Sequence, residues 1–116
     1  MRKAAFILTF TTACSSFQHT QPVRAPVDDL WAEWTDVPGW PEWDTELTAA
    51  TLQGDFTSGA RGTITTPDGR VAEFELIEVH PKSAYTYEVE LPAARLRVER
   101  RSVERDGVIE VTTCLR

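Results

Sequence analysis

The sequence predicts an α+β domain in which two short helices precede a curved antiparallel sheet of about six strands. Three observations support this class. All four tryptophans lie between Pro26 and Asp44, where apolar residues have helical spacing. From Ala49 onward, apolar residues alternate with polar ones, as in half-buried strands. Short turn motifs containing Gly or Pro separate these alternating segments, which is typical of an antiparallel meander.

Length and composition are those of one ordinary globular domain. The chain has 116 residues, of which 41% are hydrophobic and 26% charged, and this suits a single domain with a modest core. Its net charge of -6 argues against nucleic-acid binding, which needs a basic surface, and against adsorption to an anionic membrane. Neither Cys14 nor Cys114 lies in a CxxC motif or a Cys/His cluster. The sequence therefore predicts no metal site and no cofactor, and leaves a structural disulfide open.

Residues 1–16 have two interpretations. A basic start, an apolar run from Ala4 to Phe10 and small residues around Cys14 resemble a bacterial lipoprotein signal with Cys14 lipidated. The same segment is rich in strand-forming residues, which suits an N-terminal extension of the domain. We expect a cytoplasmic protein under the second interpretation and an exported, Cys14-anchored lipoprotein under the first. The domain itself is expected to occupy residues 17–116.

The tryptophan-rich segment predicts two short helices that meet at a corner. An apolar stripe with i, i+3, i+4, i+7 spacing marks the first helix and consists of Val27, Leu30, Trp31 and Trp34. Pro26 suits the start of this helix, because its missing N–H needs no partner there. Pro38 and Gly39 are expected to end it, and Pro41 to begin a second helical turn that continues to Leu47.

Six acids and no basic residues lie in the same segment. We expect them to form a solvated acidic face, since runs of like charge usually face water. The first two also suit the start of a helix, where negative charge opposes the helix dipole. The six acids are Asp28, Asp29, Glu33, Asp36, Glu42 and Asp44.

The strand patterns follow one another with short connections. They lie at residues 17–24, 51–56, 61–66, 71–79, 85–91, 94–99 and 108–113. Pro22 indicates that the first strand lies at an edge or ends there, because proline cannot donate to the ladder. The alternation slips at Ile77-Glu78-Val79, which predicts a β-bulge. His19 in the first strand is interpreted as a solvent-facing residue, since no Cys, Asp or Glu lies near it in sequence.

Nine short sequence segments have an order and spacing that match those of a known superfamily. They are Ala25-Pro26, Leu30-Trp31, Trp34-Thr35-Asp36, Trp40-Pro41-Glu42-Trp43-Asp44, Gly54-Asp55-Phe56, Gly59-Ala60-Arg61-Gly62, Phe74, Glu78-Val79-His80-Pro81 and Leu91-Pro92-Ala93-Ala94-Arg95-Leu96. In this order they resemble the START-like superfamily known as SRPBCC, and its polyketide cyclase/dehydrase-like branch in particular. The resemblance extends from about Phe17 to Thr113.

The resemblance implies a helix-grip fold, in which a curved sheet grips a long C-terminal helix around a hydrophobic cavity. Members of the superfamily bind lipids, sterols, hormones or polyketides, and some cyclise or aromatise polyketides. The family pattern would continue beyond Thr113 with another strand and the long helix, whereas this sequence stops at Arg116. We therefore expect a truncated domain that lacks the C-terminal helix, with a homodimer through the uncovered sheet face as one way to complete it.

The resemblance and the inward apolar rows together predict a ligand-binding site and no catalytic residues. Its expected lining residues are Trp43, Phe74, Tyr87, Leu96 and Arg100. Strand parity places Arg100 on the side of Leu96 and Val98, where an arginine could bind a ligand; a register slip or a cross-strand ion pair is the alternative.

The predicted function is binding of a hydrophobic small molecule that is lipid-like or polyketide-like. One alternative is a cyclase/aromatase-type enzyme in which Tyr87 and Arg100 polarise a carbonyl group. The other is an interaction domain, either non-functional and truncated or completed by a partner.

Overall fold

The computed structural model describes residues 17–115, so the N-terminal segment with its two interpretations, and Cys14 within it, lie outside the described residues. One α-helix and one 310 helix pack against one face of a seven-stranded antiparallel sheet. The elements are β1 (Phe17–Val23), α1 (Val27–Thr35), the 310 helix (Val37–Glu42), β2 (Ala49–Leu52), β3 (Arg61–Thr65), β4 (Val71–His80), β5 (Ala84–Leu91), β6 (Ala94–Arg105) and β7 (Val108–Leu115).

The strand order across the sheet is β1-β7-β6-β5-β4-β3-β2. Strands β2 to β7 form the predicted meander, and β1 pairs with β7, so β1 and β2 are the two edges. Pro22 lies in edge strand β1, where its missing donor costs no ladder hydrogen bond. The predicted class is confirmed; the sheet has one strand more than the expected six, because every segment with strand character joins it. Within residues 17–115, neither helix is long and apolar enough to cross a membrane.

The second helix differs from the prediction. It spans Val37–Glu42 in 310 geometry, instead of starting at Pro41 and continuing to Leu47. At its two ends, the amide of Gly39 bonds to the carbonyl oxygen of Asp36 and the amide of Trp43 bonds to that of Trp40. Pro38 lies in the first turn, where no amide donor is needed, whereas Pro41 lies inside the helix and cannot donate there. Short 310 helices of this kind are common connectors.

The β-bulge predicted at Ile77-Glu78-Val79 is confirmed. Leu76 of β4 faces Tyr87 of β5, but the next paired residue of β4 is Glu78, which faces Thr86. Ile77 is thus the extra residue on the bulged strand. The bulge restores an inward orientation to Val79, which packs against the core and lies opposite Tyr85.

The core lies between the helices and one face of the sheet, which we call the inner face. The register places Phe74, Val89 and Leu96 opposite one another on β4, β5 and β6, and Tyr87 one row away on the same face. Directly opposed residues of antiparallel strands project to the same side. Trp40 of the 310 helix is completely buried against these residues. The predicted apolar rows therefore converge beneath the tryptophan-rich segment.

Gly62 on β3 lies where any side chain would collide with the sheet. A Cβ atom at this position would be 2.0 Å from the backbone oxygen of Thr51 and 2.8 Å from Cζ of Phe74. Gly39 offers a matched comparison, because its Cβ atom would meet only the side chain of Asp36, at 2.6 Å, and that exposed side chain can rotate away.

We expect Gly62→Ala to lower the free energy of unfolding by about 1–3 kcal/mol, as overpacking of a rigid site usually does. Gly39→Ala, the control, should change it by less than about 0.5 kcal/mol, the usual range for surface substitutions. Urea denaturation followed by circular dichroism measures both. Equal stabilities of the two variants would show that β2 and β3 can move apart to accommodate the added methyl group, contrary to the described packing.

Candidate functional site

Arg100 is a buried cation on the inner face of the sheet. It lies in β6 directly opposite Tyr85 of β5, and only 7% of its surface is exposed. Its Nη1 donates a hydrogen bond of 2.9 Å to the Tyr85 hydroxyl, and its Nη2 lies 3.3 Å from Oδ2 of Asp44. The burial of a guanidinium group is costly unless its charge is paired, and Asp44 supplies the opposite charge.

Asp44 is held in place by the turn that follows the 310 helix. Its backbone amide bonds to the carbonyl oxygen of Trp40 (2.9 Å), and its Oδ1 accepts a bond of 3.0 Å from the amide of Glu46. These contacts direct Oδ2 toward Arg100. The expectation that all six acids of this segment face solvent is wrong for Asp44, whose side chain is only 14% exposed, because the buried guanidinium requires a counter-charge.

Three aromatic rings surround the Arg100 guanidinium. Its central carbon lies 5.0 Å from the ring centroid of Trp43, 5.8 Å from that of Tyr87 and 5.9 Å from that of Tyr85. Cations within about 6 Å of an aromatic centroid are attracted by the ring quadrupole. The site thus combines a fixed positive charge with flat apolar surfaces, and we call these five residues, Trp43, Asp44, Tyr85, Tyr87 and Arg100, the Arg100 cluster.

Both tyrosine hydroxyls of the cluster stay neutral at physiological pH. Burial raises the pKa of Tyr85 well above its usual range, and the neighbouring Arg100 only partly offsets this. Burial raises the pKa of Tyr87 in the same way. The cluster therefore carries one positive and one negative charge and two neutral phenols, so its net charge is zero.

The indole N–H of Trp43 is the unusual donor in this region. Its nitrogen is buried, and within the described part of the chain it has no hydrogen-bond partner. A buried donor without a partner typically costs about 1–3 kcal/mol, and such groups in a native structure call for an explanation. An oxygen acceptor on a bound molecule would satisfy this N–H.

The structure places the five sequence-predicted lining residues on one face but not in one cluster. Trp43, Tyr87 and Arg100 adjoin one another, as described above. Phe74 is 1% exposed and lies against the ring of Trp40 at 5.6 Å, so it belongs to the core. Leu96 lies four residues before Arg100 on β6, which separates them by roughly 13 Å at strand spacing.

Sequence reasoning missed two members of the Arg100 cluster, Tyr85 and Asp44. Strand parity already placed Tyr85 on the same face as Tyr87, but only Tyr87 was counted among the expected lining residues. For Asp44 the signal in the sequence was indirect. An inward-facing arginine needs a buried carboxylate as its counter-ion, and Asp44, which lies close to Trp40 and Trp43 in the sequence, is a candidate for that role. The register-slip and cross-strand alternatives for Arg100 are not what the structure shows, since its counter-ion comes from the helical segment.

The chemistry available at this site is hydrogen-bond donation within an apolar frame. The guanidinium has five N–H groups, and its hydrogen-bond partners among the described residues are Tyr85, Tyr87 and Asp44. The Trp43 N–H adds a further donor. Among residues 17–115 no group of three or more His, Cys, Asp or Glu side chains is arranged to hold a metal ion.

Residues 15–113 match the model of a protein family described as polyketide cyclase/dehydrase and lipid transport, and the chain belongs to this family. The resemblance predicted from the sequence is thereby confirmed. No match was found among proteins with curated descriptions.

Several solved structures have a fold similar to that of this chain. DR_A0006 from Deinococcus radiodurans is 26% identical with a TM-score of 0.66, and the match covers 85% of this chain and 80% of that one. DynU16 from the dynemicin biosynthetic locus is 20% identical with a TM-score of 0.68, covering 84% of this chain but only 35% of that one. The di-domain ARO/CYC StfQ from the steffimycin pathway is 15% identical with a TM-score of 0.65, with coverages of 84% and 35%. This chain thus spans about a third of the length of the last two.

The burial of both tyrosines predicts an unusual alkaline titration. Tyr85 and Tyr87 are the chain's two tyrosines, and free tyrosine ionises near pH 10. Because the folded-state pKa of both is raised, the unfolded chain loses protons first. We expect stability to be unaffected by these groups below about pH 10 and to fall as the pH rises further.

Ultraviolet absorbance of the phenolate measures this titration. The signal should emerge together with loss of structure in circular dichroism, and Tyr87→Phe should halve its amplitude without moving it to lower pH. A reversible phenolate signal centred near pH 10 in folded protein would contradict the described burial.

Removal of the charge on Asp44 tests the ion pair. Asp44→Asn keeps the shape of the side chain but leaves the buried guanidinium without a counter-charge, so we expect a loss of about 1–3 kcal/mol in unfolding free energy. Glu42→Gln is the matched control, because Glu42 is exposed two residues earlier and loses the same charge. Chemical denaturation measures both, and comparable stabilities for the two variants would refute a structural role for the Asp44 carboxylate.

Proposed function

We propose that the chain binds a flat, apolar small molecule of the polyketide-like class through an oxygen acceptor held at the Arg100 cluster. The observation that carries this proposal is the buried Arg100 guanidinium beside the unpartnered N–H of Trp43. Buried donors in an apolar setting are typical of small-molecule sites, where a few polar groups orient an otherwise apolar ligand.

The electrostatics of the cluster support a neutral or weakly acidic ligand. Asp44 already balances the charge of Arg100 at 3.3 Å, so a fully charged carboxylate would bring a second negative charge close to the first. A ketone or phenol oxygen can accept from the guanidinium without that repulsion. Trp43 is only partly buried, so its ring offers surface to a planar molecule, and aromatic rings pack together with favourable geometry.

The family description supports the same class of ligand. It names polyketide cyclase/dehydrase and lipid transport. Both functions require the recognition of apolar molecules that carry oxygen atoms. Between these two kinds of ligand, the ring-lined geometry around Arg100 favours a fused-ring molecule over a flexible acyl chain. Binding would draw mainly on buried apolar area, at about 25 cal/mol per Å2.

A direct test uses 2-hydroxyanthraquinone as the fused-ring probe and palmitate as the acyl-chain probe, measured by isothermal titration calorimetry and thermal shift. We expect the anthraquinone to bind and palmitate to bind at least about tenfold more weakly. Arg100→Met should weaken anthraquinone binding by about tenfold or more, the equivalent of one charge-assisted hydrogen bond.

Two further variants keep this test decisive. Arg95→Met removes a 69% exposed arginine from the same strand and should leave affinity unchanged. Trp43→Phe retains an aromatic face but removes the unpartnered N–H, so it should weaken binding about threefold to tenfold while the protein stays folded. No binding of the anthraquinone to the wild-type protein, or full affinity in both Arg100→Met and Trp43→Phe, would overturn the proposal.

A further inference from the structure

A line of four polar side chains crosses the inner face of the sheet at one level. Tyr85, Arg100, Thr113 and His19 are consecutive cross-strand partners on β5, β6, β7 and β1. Directly opposed residues of antiparallel strands place their side chains on the same face. We call these four residues the polar row; it extends the Arg100 cluster toward edge strand β1.

The polar row runs from the core to the surface. Tyr85 is fully buried and Arg100 is 7% exposed, while Thr113 is half-buried and His19 is exposed. Two strand spacings separate Arg100 from His19, which is roughly 10 Å between their backbones. A ligand anchored at Arg100 can therefore extend along the row toward His19 and remain in contact with the sheet.

An apolar row runs beside the polar one. It is formed by Tyr87, Val98, Leu115 and Phe17, which are consecutive partners on the same four strands. Residues two apart along a strand share a face and lie roughly 7 Å apart. The inner face thus carries a row of apolar side chains, buried at Tyr87 and Val98 and more exposed at Leu115 and Phe17, with a parallel line of hydrogen-bonding groups along one side.

His19 is available for such a contact. The hydrogen bond described for its ring links Nε2 to Oε1 of Gln21 at 3.3 Å, between two exposed residues of one strand. A bond this long and solvent-exposed is easily exchanged for another partner. A neutral imidazole has one donor and one acceptor nitrogen, so it can bind a hydroxyl as either donor or acceptor.

We propose that the ligand is an elongated fused-ring molecule with an oxygen function at each end, and that His19 is a specificity-determining residue that binds the end remote from Arg100. This inference rests on the proposed function, since Arg100 holds the first oxygen. A molecule with a single polar end would lay apolar atoms over Thr113 and His19, and the loss of their hydration without new hydrogen bonds is unfavourable.

The test compares 2-hydroxyanthraquinone with 2,6-dihydroxyanthraquinone, which carries hydroxyl groups at opposite ends of its three rings. The dihydroxy compound is symmetric, so its two equivalent orientations alone raise its affinity about twofold. Only a preference for the dihydroxy compound larger than about twofold is evidence for a contact with His19. We expect the wild-type protein to bind the dihydroxy compound roughly tenfold more tightly than the monohydroxy compound. This ratio combines the twofold effect of symmetry with the contribution of one additional hydrogen bond.

Variants of β1 assign the preference to His19. His19→Val should reduce this preference to about twofold without weakening the binding of the monohydroxy compound, and His19→Gln should restore part of the preference. Gln18→Val is the matched control, because Gln18 is an exposed neighbour in β1 that projects to the opposite face, and it should retain the full preference. Circular dichroism and thermal melts establish that all variants are folded.

The outcomes separate this inference from the proposed function. If the monohydroxy compound binds in an Arg100-dependent manner but the wild type shows no preference beyond about twofold, the role of His19 is refuted and the proposed function stands. If the His19→Val variant keeps the preference for the dihydroxy compound, the role of His19 is likewise refuted and the proposed function stands. If neither compound binds, both proposals are overturned.

Discussion

The packing of Trp40 against the inner face of the sheet is the contact on which the rest of the structure depends. Its ring lies 5.6 Å from Phe74, 6.0 Å from Tyr85 and 5.2 Å from Tyr87, between ring centroids. Its indole N–H donates a bond of 2.9 Å to the carbonyl oxygen of Trp34 at the end of α1. One side chain thus joins the α-helix, the 310 helix and two strands, and fixes the helical segment above the sheet.

The position of Trp40 has an electrostatic consequence. The turn that follows it carries Trp43 and Asp44 to Arg100, which would otherwise be a buried charge without a partner. Buried ion pairs usually contribute little net stability compared with apolar residues of the same size, because desolvation offsets their attraction. Removal of one member of such a pair leaves an uncompensated buried charge, so the burial of Arg100 depends on the turn that carries Asp44.

Local patterns predicted the sheet well because strand pairing imposes a strict period of two. The alternation of Phe74 with Leu76, and of Tyr85 with Tyr87, identified the inner face, and the phase slip at Ile77 identified the bulge. The 310 helix was predicted less well. Helical spacing and proline positions indicate that a turn occurs there, but the choice between α and 310 geometry depends on how deeply Trp40 enters the core.

The sequence by itself determined the order of the elements and the apolar rows, because these follow from side-chain periodicity along single strands; it left the inward orientation of Arg100 as one of two interpretations. Only the tertiary structure decided that Asp44, 56 residues away in sequence, is the counter-ion, and that Arg100, Thr113 and His19 lie at one level. Pairing across the sheet brings distant residues together through register, and register depends on turns, bulges and packing acting together. No single segment of the sequence carries that information.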